Sequence, residues 1–504
     1  MRSLNQWMDQ ASRLLPASWH LSPRASAELD VLVRLGSHIA ASILSTFALS
    51  VTALVIAKRV GTAEYTAVAY AQLVLDFTLT VFTRGFTKGL LALASQAYGA
   101  HNHALIGHYT QLTALLLTLV CVPLSLLWYY SCGSLHVVGL APVSVALATQ
   151  YARVSVLGLW PRLLFDVVAA SFQAQQLAAS AAVASLCAVV FNALLSIPLV
   201  FGLSCLGVRG LGVLGGPLAT SLTLWCRLFG YGYYMHRVTP LQSLWQWSPR
   251  SLSLAQLTAL LSVGAPLMLG DFVENLQLQI MTIFAALLSD VSLAAHTTVM
   301  QIVYLVTSPI CGLHDAAVSR MGMYLGAGHA EAAAFVSRLV LGAMLFTSAC
   351  LALPWVLCRH WIGLTSDPRV VDLISSATVL AAVGYVALSP FFYAMATLNA
   401  QARTVPIPRA IVCGAWFVGV PTAYALSQFD SRGLLGVYMG MAFGSGVTTL
   451  LGVYFAAFSD WVAEAAKAVA RTRPFKGTLP LLATVQATDY GATTDTLLEY
   501  DEES

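Results

Sequence analysis

Gly264-Ala265-Pro266-Leu267-Met268-Leu269-Gly270-Asp271-Phe272-Val273-Glu274-Asn275-Leu276-Gln277-Leu278-Gln279 sets two carboxylates inside an otherwise apolar run. At 100° per residue, Asp271, Glu274 and Asn275 share one helical face, with Gln277 and Gln279 at its margins. Leu269, Phe272, Val273, Leu276 and Ile280 cover the opposite face. An acid at the centre of a membrane span costs about 2.5–3.5 kcal/mol on insertion scales, so two on one span require a cavity, partners or protonation. The stretch reads as a membrane helix with one functional face.

The surrounding chain agrees with a membrane setting. Its 504 residues are 58% hydrophobic and only 9% charged, and the mean hydropathy is +0.76. Soluble domains carry about a quarter charged residues. Apolar runs long enough to span a bilayer recur from end to end, which predicts an all-α polytopic protein, since helices satisfy their own backbone groups in lipid. Twelve spans are expected, at about 36–57, 67–94, 107–130, 142–172, 180–203, 210–236, 255–287, 292–322, 333–357, 370–398, 405–427 and 433–458. Pro161 and Pro390 fall inside the long fourth and tenth spans and predict tilt or kinks there.

Several function classes drop out. A net charge of +3 with scattered basic residues does not describe a nucleic-acid surface. The nine cysteines form no CxxC pair or Cys/His cluster, so neither a metal site nor a disulfide framework is expected. Cys132 and Cys205 fall in loops on the same side, and a bridge between them stays open. No catalytic constellation emerges, and an enzyme is not expected.

An even number of spans puts both termini on one side. Basic residues in the loops and termini divide about sixteen to six in favour of that side, which predicts cytoplasmic termini. The expected division is a cytoplasmic segment at 1–35, a six-helix lobe at 36–236, a linker at 237–254, a second six-helix lobe at 255–458 and a largely disordered, acidic-ended tail at 459–504.

The two lobes repeat each other. Gly85 to Ala100 can be laid over Gly312 to Ala327 without a gap, 312 against 85, an offset of 227 residues. Phe172-Gln173-Ala174-Gln175 pairs with Leu398-Asn399-Ala400-Gln401, and Arg209-Gly210-Leu211 with Arg432-Gly433-Leu434, in the same order. Two copies of six spans enter the membrane in the same sense, so a pseudo-two-fold axis along the membrane normal relates the lobes.

At these residues the chain resembles the multidrug and toxic compound extrusion (MATE) family, as a divergent eukaryotic-type member. The resemblance rests on Gln96-Ala97-Tyr98-Gly99-Ala100, Gly264-Ala265-Pro266 followed by Glu274, Leu293-Ala294-Ala295-His296, Gly322 through Gly328, and Gly419-Val420-Pro421. It implies a V-shaped transporter exporting organic, often cationic compounds in exchange for protons or sodium ions, with Glu274 in cation exchange. Gln279, Gln301 and the Ser389-Pro390 region stand where acids are common in the family, so Asp271 is the residue that would compensate.

The expected coupling residues are therefore Glu274 and Asp271. Burial disfavours a charged carboxyl and an arriving cation favours it, so proton and cation exclude one another. Asp271 either shares that proton or is a polar residue near the end of its span. Asn275, Gln277, Gln279, Gln301, Tyr304 and Tyr393 are candidates for the substrate cavity. Asp76 and Asp166 are candidates for an ion site in the first lobe, with Asp166 alternatively pairing with Arg162. Lys88 and Asp315 occupy equivalent repeat positions and would latch the lobes as an inside gate. The expected protein is a monomeric proton-coupled antiporter, with sodium as the alternative ion and no bound cofactor. Its partners would be the lipid bilayer and a small cationic or amphipathic organic substrate, in a plasma, vacuolar or endosomal membrane. A lipid-linked saccharide flippase and a non-transporting sensor or scaffold are the alternatives.

Overall fold

The computed structural model describes residues 22–133, 141–203, 208–238, 253–359, 368–430 and 432–473. The first helix, α1 (Pro23–Val60), starts where a serine cap precedes a proline: the Ser22 hydroxyl accepts the Ala25 N–H at 3.2 Å, and Pro23 opens the first turn. It begins well before residue 36, so Glu28 and Asp30, expected in a cytoplasmic segment, ride on the helix.

The first half continues with α2 (Thr62–Gly99), α3 (His103–Ser131), α4 (Pro142–Ala174), α5 (Ala179–Phe201) and α6 (Gly215–Val238). Between α5 and α6 lies a short hairpin, β1 (Gly202–Leu203) antiparallel to β2 (Val208–Arg209). The second half holds α7 (Leu254–Leu288), α8 (Asp290–Gly326), α9 (Ala330–Leu357), α10 (Pro368–Ala400), α11 (Pro406–Gln428) and α12 (Gly433–Ala457). A π-helical stretch, Val412–Gly419, lies within α11. Pro161 and Pro390 sit inside unbroken helices. Eleven of the twelve long helices are long and apolar enough to cross a membrane; α6, which carries Arg227, falls below the same measure.

A thirteenth helix, α13 (Trp461–Thr472), corrects the expectation of disorder from residue 459. The Asp460 carboxylate accepts the N–H groups of Val462 and Ala463, each at 3.1 Å. The helix then buries Ala465 and Ala468. Cys205, the linker residues 239–252 and the tail beyond 473 lie outside the described residues.

The halves meet along two equivalent crossings, α2 on α7 and α1 on α8. Lipid supplies no hydrophobic drive between membrane helices, so close backbone packing over small residues has to hold them. A Cβ on Gly85 would overlap the Met268 backbone nitrogen, and one on Gly312 would overlap the Gly36 carbonyl. Those two glycines occupy equivalent positions in the repeat. Gly85→Val and Gly312→Val are each expected to destabilise the protein by about 1–3 kcal/mol through overpacking, read as thermal denaturation of the purified protein. Gly342→Ala, where a Cβ meets open space, is the tolerated control.

Candidate functional site

The hydrogen bonds that join the two halves gather at one end of the molecule, where α1 and α7 begin and α2 and α8 finish. Deepest is a cluster of Glu28 on α1 with Arg320 and Tyr324 on α8. Arg320 donates from Nε to Glu28 Oε2 and from Nη2 to Glu28 Oε1, both at 2.9 Å, and from Nη2 to the Tyr324 hydroxyl at 3.0 Å. The Tyr324 hydroxyl donates to the same carboxylate. Glu28 and Arg320 are each 3% exposed. The bidentate fork explains why a buried charge pair holds here: both charges keep hydrogen bonds after losing water.

Around this cluster, Gln96 Nε2 donates to the Ala400 carbonyl at 2.7 Å and Ser319 Oγ to the Gln173 carbonyl at 2.9 Å. The C-terminal helix α13 lies over the same end. Arg471 donates to Gln96 Oε1 at 2.9 Å and to the Gln401 carbonyl at 3.3 Å, while Asn102 donates to the Thr472 carbonyl at 3.0 Å. One helix thereby holds residues of both halves.

The opening stretch of α7 contributes the next layer. Lys88 Nζ on α2 donates to Asp271 Oδ1 at 2.8 Å. This corrects the expected latch: Lys88 closes on Asp271, not on Asp315, whose carboxylate is 2.9 Å from Nδ1 of its neighbour His314. The reason is the antiparallel crossing of α2 on α7, which brings Lys88 beside the helix that carries Asp271. Asp271 Oδ2 is buried without a hydrogen-bond partner among the described residues. Asn275 Nδ2 binds back to the Asp271 carbonyl at 2.7 Å.

One turn further from the closed end, α2 presents Arg84 and α7 presents Glu274. Arg84 is exposed and Glu274 half-buried. Glu274 forms no ion pair within 4.0 Å among the described residues, although Asp271, Lys88 and Arg84 all act on it electrostatically. Tyr304 on α8, 49% exposed, lies within the electrostatic reach of both Glu274 and Arg84. Groups from the two halves thus face a shared, accessible space just beyond the Lys88 and Asp271 pair.

The other expected site residues divide. Gln301 is exposed and Gln279 half-buried, while Gln277 is buried. Tyr393 does not reach the cleft: it is buried within the second half, where Ser337 Oγ donates to its hydroxyl at 3.4 Å. Ser389, standing where an acid is common, is buried and accepts from Ser348 Oγ at 3.1 Å. In the first half, Arg162 pairs with Asp76 at 3.3 Å, so the alternative pairing of Arg162 with Asp166 is not the one formed. Asp166 instead feels Arg227 most strongly. Asp76 and Arg162 line a cavity of about 80 Å³ between the helices of that half.

Sequence reading missed two parts of the site. Glu28 was assigned to a segment before the first span, though Ser22-Pro23 is a helix-start signature that would have placed it on α1. Arg84 counts as a loop charge by sequence, because the groups it acts on across the cleft, Glu274 and Tyr304, belong to the other half. Removing one member of the buried cluster, as in Glu28→Gln, is expected to cost about 3–5 kcal/mol in thermal or denaturant unfolding. The less buried Lys88 pair is worth about 1.5–3 kcal/mol by its charged hydrogen bond. Lys88→Asp should be rescued by Asp271→Lys and not by Asp315→Lys; rescue by Asp315→Lys alone would contradict the pairing.

The MatE family model matches the chain twice, over residues 38–197 and 266–425. The chain is 26% identical over 445 residues to Protein DETOXIFICATION 36 of Arabidopsis thaliana, covering 85% of this chain and 84% of that protein. It is 23% identical over 432 residues to an uncharacterized transporter of Schizosaccharomyces pombe, covering 84% of this chain and 78% of the other. The crystal structure of the eukaryotic MATE transporter AtDTX14 superposes with a TM-score of 0.82 at 21% identity, covering 89% of this chain and all of that one. A twice-matched family model, six helices in each half and a seam built from equivalent repeat positions lead to one conclusion: the chain belongs to the MatE family, whose members are membrane transporters and not enzymes.

Proposed function

We propose that this transporter is a proton-coupled antiporter that exports organic cations or amphipathic solutes by alternating access. The observation that carries the reading is Glu274, an acid in a membrane helix that faces the space between the halves with no ion pair of its own among the described residues. Intramembrane acids mark ion and substrate paths, because only a function or a partner offsets their cost. The basic excess on the side of the termini supports cytoplasmic termini, so the closed end is cytoplasmic and the cleft opens outward. The protein acts as a monomer in the plasma membrane or a vacuolar or endosomal membrane.

In this scheme Glu274 holds either a proton or a cation. Its charge also acts on Lys88, adding to the attraction of Asp271. A proton arriving at Glu274 from the open side displaces the cation and removes part of the hold on Lys88. The closed end is then freer to part and admit solute from the cytoplasm. Tyr304 offers an aromatic face beside the carboxylate for an organic cation. A flippase for phosphate-bearing lipids gains less support: of the basic candidates Arg153, Arg162 and Arg227, Arg162 is engaged by Asp76 and Arg153 lies over Tyr129, with Cζ 4.4 Å from the ring centroid, which leaves Arg227 alone and no basic cluster for a phosphate.

In proteoliposomes with an imposed proton gradient and a panel of organic cations, wild type is expected to exchange and Glu274→Gln to lose gradient-driven exchange by about two orders of magnitude or more. A sodium gradient should not substitute. Undiminished exchange by Glu274→Gln would remove the proposed site, and drive by sodium alone would replace the proposed ion.

A further inference from the structure

Among the described residues the exchange scheme leaves two strongly buried cations unused, Arg320, which Glu28 neutralises, and Arg227 on α6. Arg227 is 6% exposed, and its Nε has no hydrogen-bond partner among the described residues. Among the described residues, no carboxylate lies within 4.0 Å of it. The nearest influences are Asp166, which attracts it without contact, and Arg162, which repels it and is already paired with Asp76. One face is covered by Phe165, whose ring centroid is 3.8 Å from Cζ. Ring contact satisfies the face of a guanidinium but leaves the N–H donors of its edge, and an arginine does not shed its charge to reduce the cost. A cation this far inside a membrane bundle therefore lacks the counter-group that such burial ordinarily requires.

Arg227 lies between two spaces: it lines the cavity that holds Asp76 and Arg162, and it lines a groove of about 560 Å³ between α5 and α6. Val183, Cys187 and Phe191 form one apolar wall, and Val183 and Phe191 are 59% and 42% exposed. One turn beyond Arg227, Tyr231 lines the same groove with Ser180. Apolar walls that open outward, with a cation at the floor, are complementary to a molecule with one acidic group and a hydrocarbon body.

We propose that the groove between α5 and α6 binds a single-chain amphipathic acid from the surrounding bilayer, its carboxylate on Arg227 and its hydrocarbon along Val183, Cys187 and Phe191. This site lies in the first half and does not rest on the exchange role of Glu274.

Cys187 and Cys226 both line the groove and are exposed, whereas Cys350 and Cys413 are exposed elsewhere. The full-length protein in phosphatidylcholine nanodiscs is alkylated with N-ethylmaleimide, and each cysteine is followed by mass spectrometry. Dodecanoate at about ten times its dissociation constant is expected to slow Cys187 and Cys226 about tenfold. Cys350 and Cys413 should react at unchanged rates. Dodecyltrimethylammonium and dodecanol, which match the chain but not the charge, should protect little. Arg227→Gln should abolish the dodecanoate effect, and Arg227→Lys should retain part of it. Equal protection by the three probes, or undiminished protection in Arg227→Gln, would overturn the proposal. If Arg227→Gln fails to fold, the three-probe comparison on wild type decides alone.

Discussion

Desolvating charge where two helical halves meet inside a membrane is the constraint on which the rest of this structure depends. Glu28 and Arg320 lie on different halves, and both are almost fully buried. Neither tolerates that position without the other, because a lone buried charge costs several kcal/mol. The pair is therefore a condition on geometry: the halves close at that end only when α1 and α8 cross at one register. The glycine contacts at Gly85 and Gly312 set the same crossings sterically.

Polarity is graded along the seam. The fully buried Glu28 cluster is followed by the partly buried pair of Lys88 and Asp271, then by Arg84 and Glu274, which face each other unpaired. Each step away from the closed end trades a protein partner for an accessible one. A carboxylate at the last step is the group most able to take a proton or cation from outside, and it remains within the electrostatic reach of the lysine behind it. The proposed exchange uses this gradient, since occupancy at the accessible layer alters the balance of charge at the closed one.

The first half is organised differently. Its cavity is lined by Arg162 and Asp76 together with Arg227, and Arg227 also borders the groove between α5 and α6. The repeat has thus kept the helices and the seam while the polar interiors of the two copies diverged. Equivalent backbone positions do not preserve equivalent chemistry, as Lys88 and Asp315 illustrate: one bridges the halves and the other pairs with an adjacent histidine.

Much of this was legible in the chain alone. Apolar runs, a repeated order of motifs and two acids on one face of the α7 segment determine a twelve-helix protein in two copies, because hydrophobic length and helical period are local properties. Local signals also fixed where α1 begins, through Ser22 and Pro23, although composition suggested a later start. What only the tertiary structure decided is which charges meet. Lys88 is 183 residues from Asp271, and Glu28 is 292 residues from Arg320. Those pairings follow from the crossing of α2 on α7 and α1 on α8, and no spacing along the sequence encodes the angle or register at which two distant helices touch.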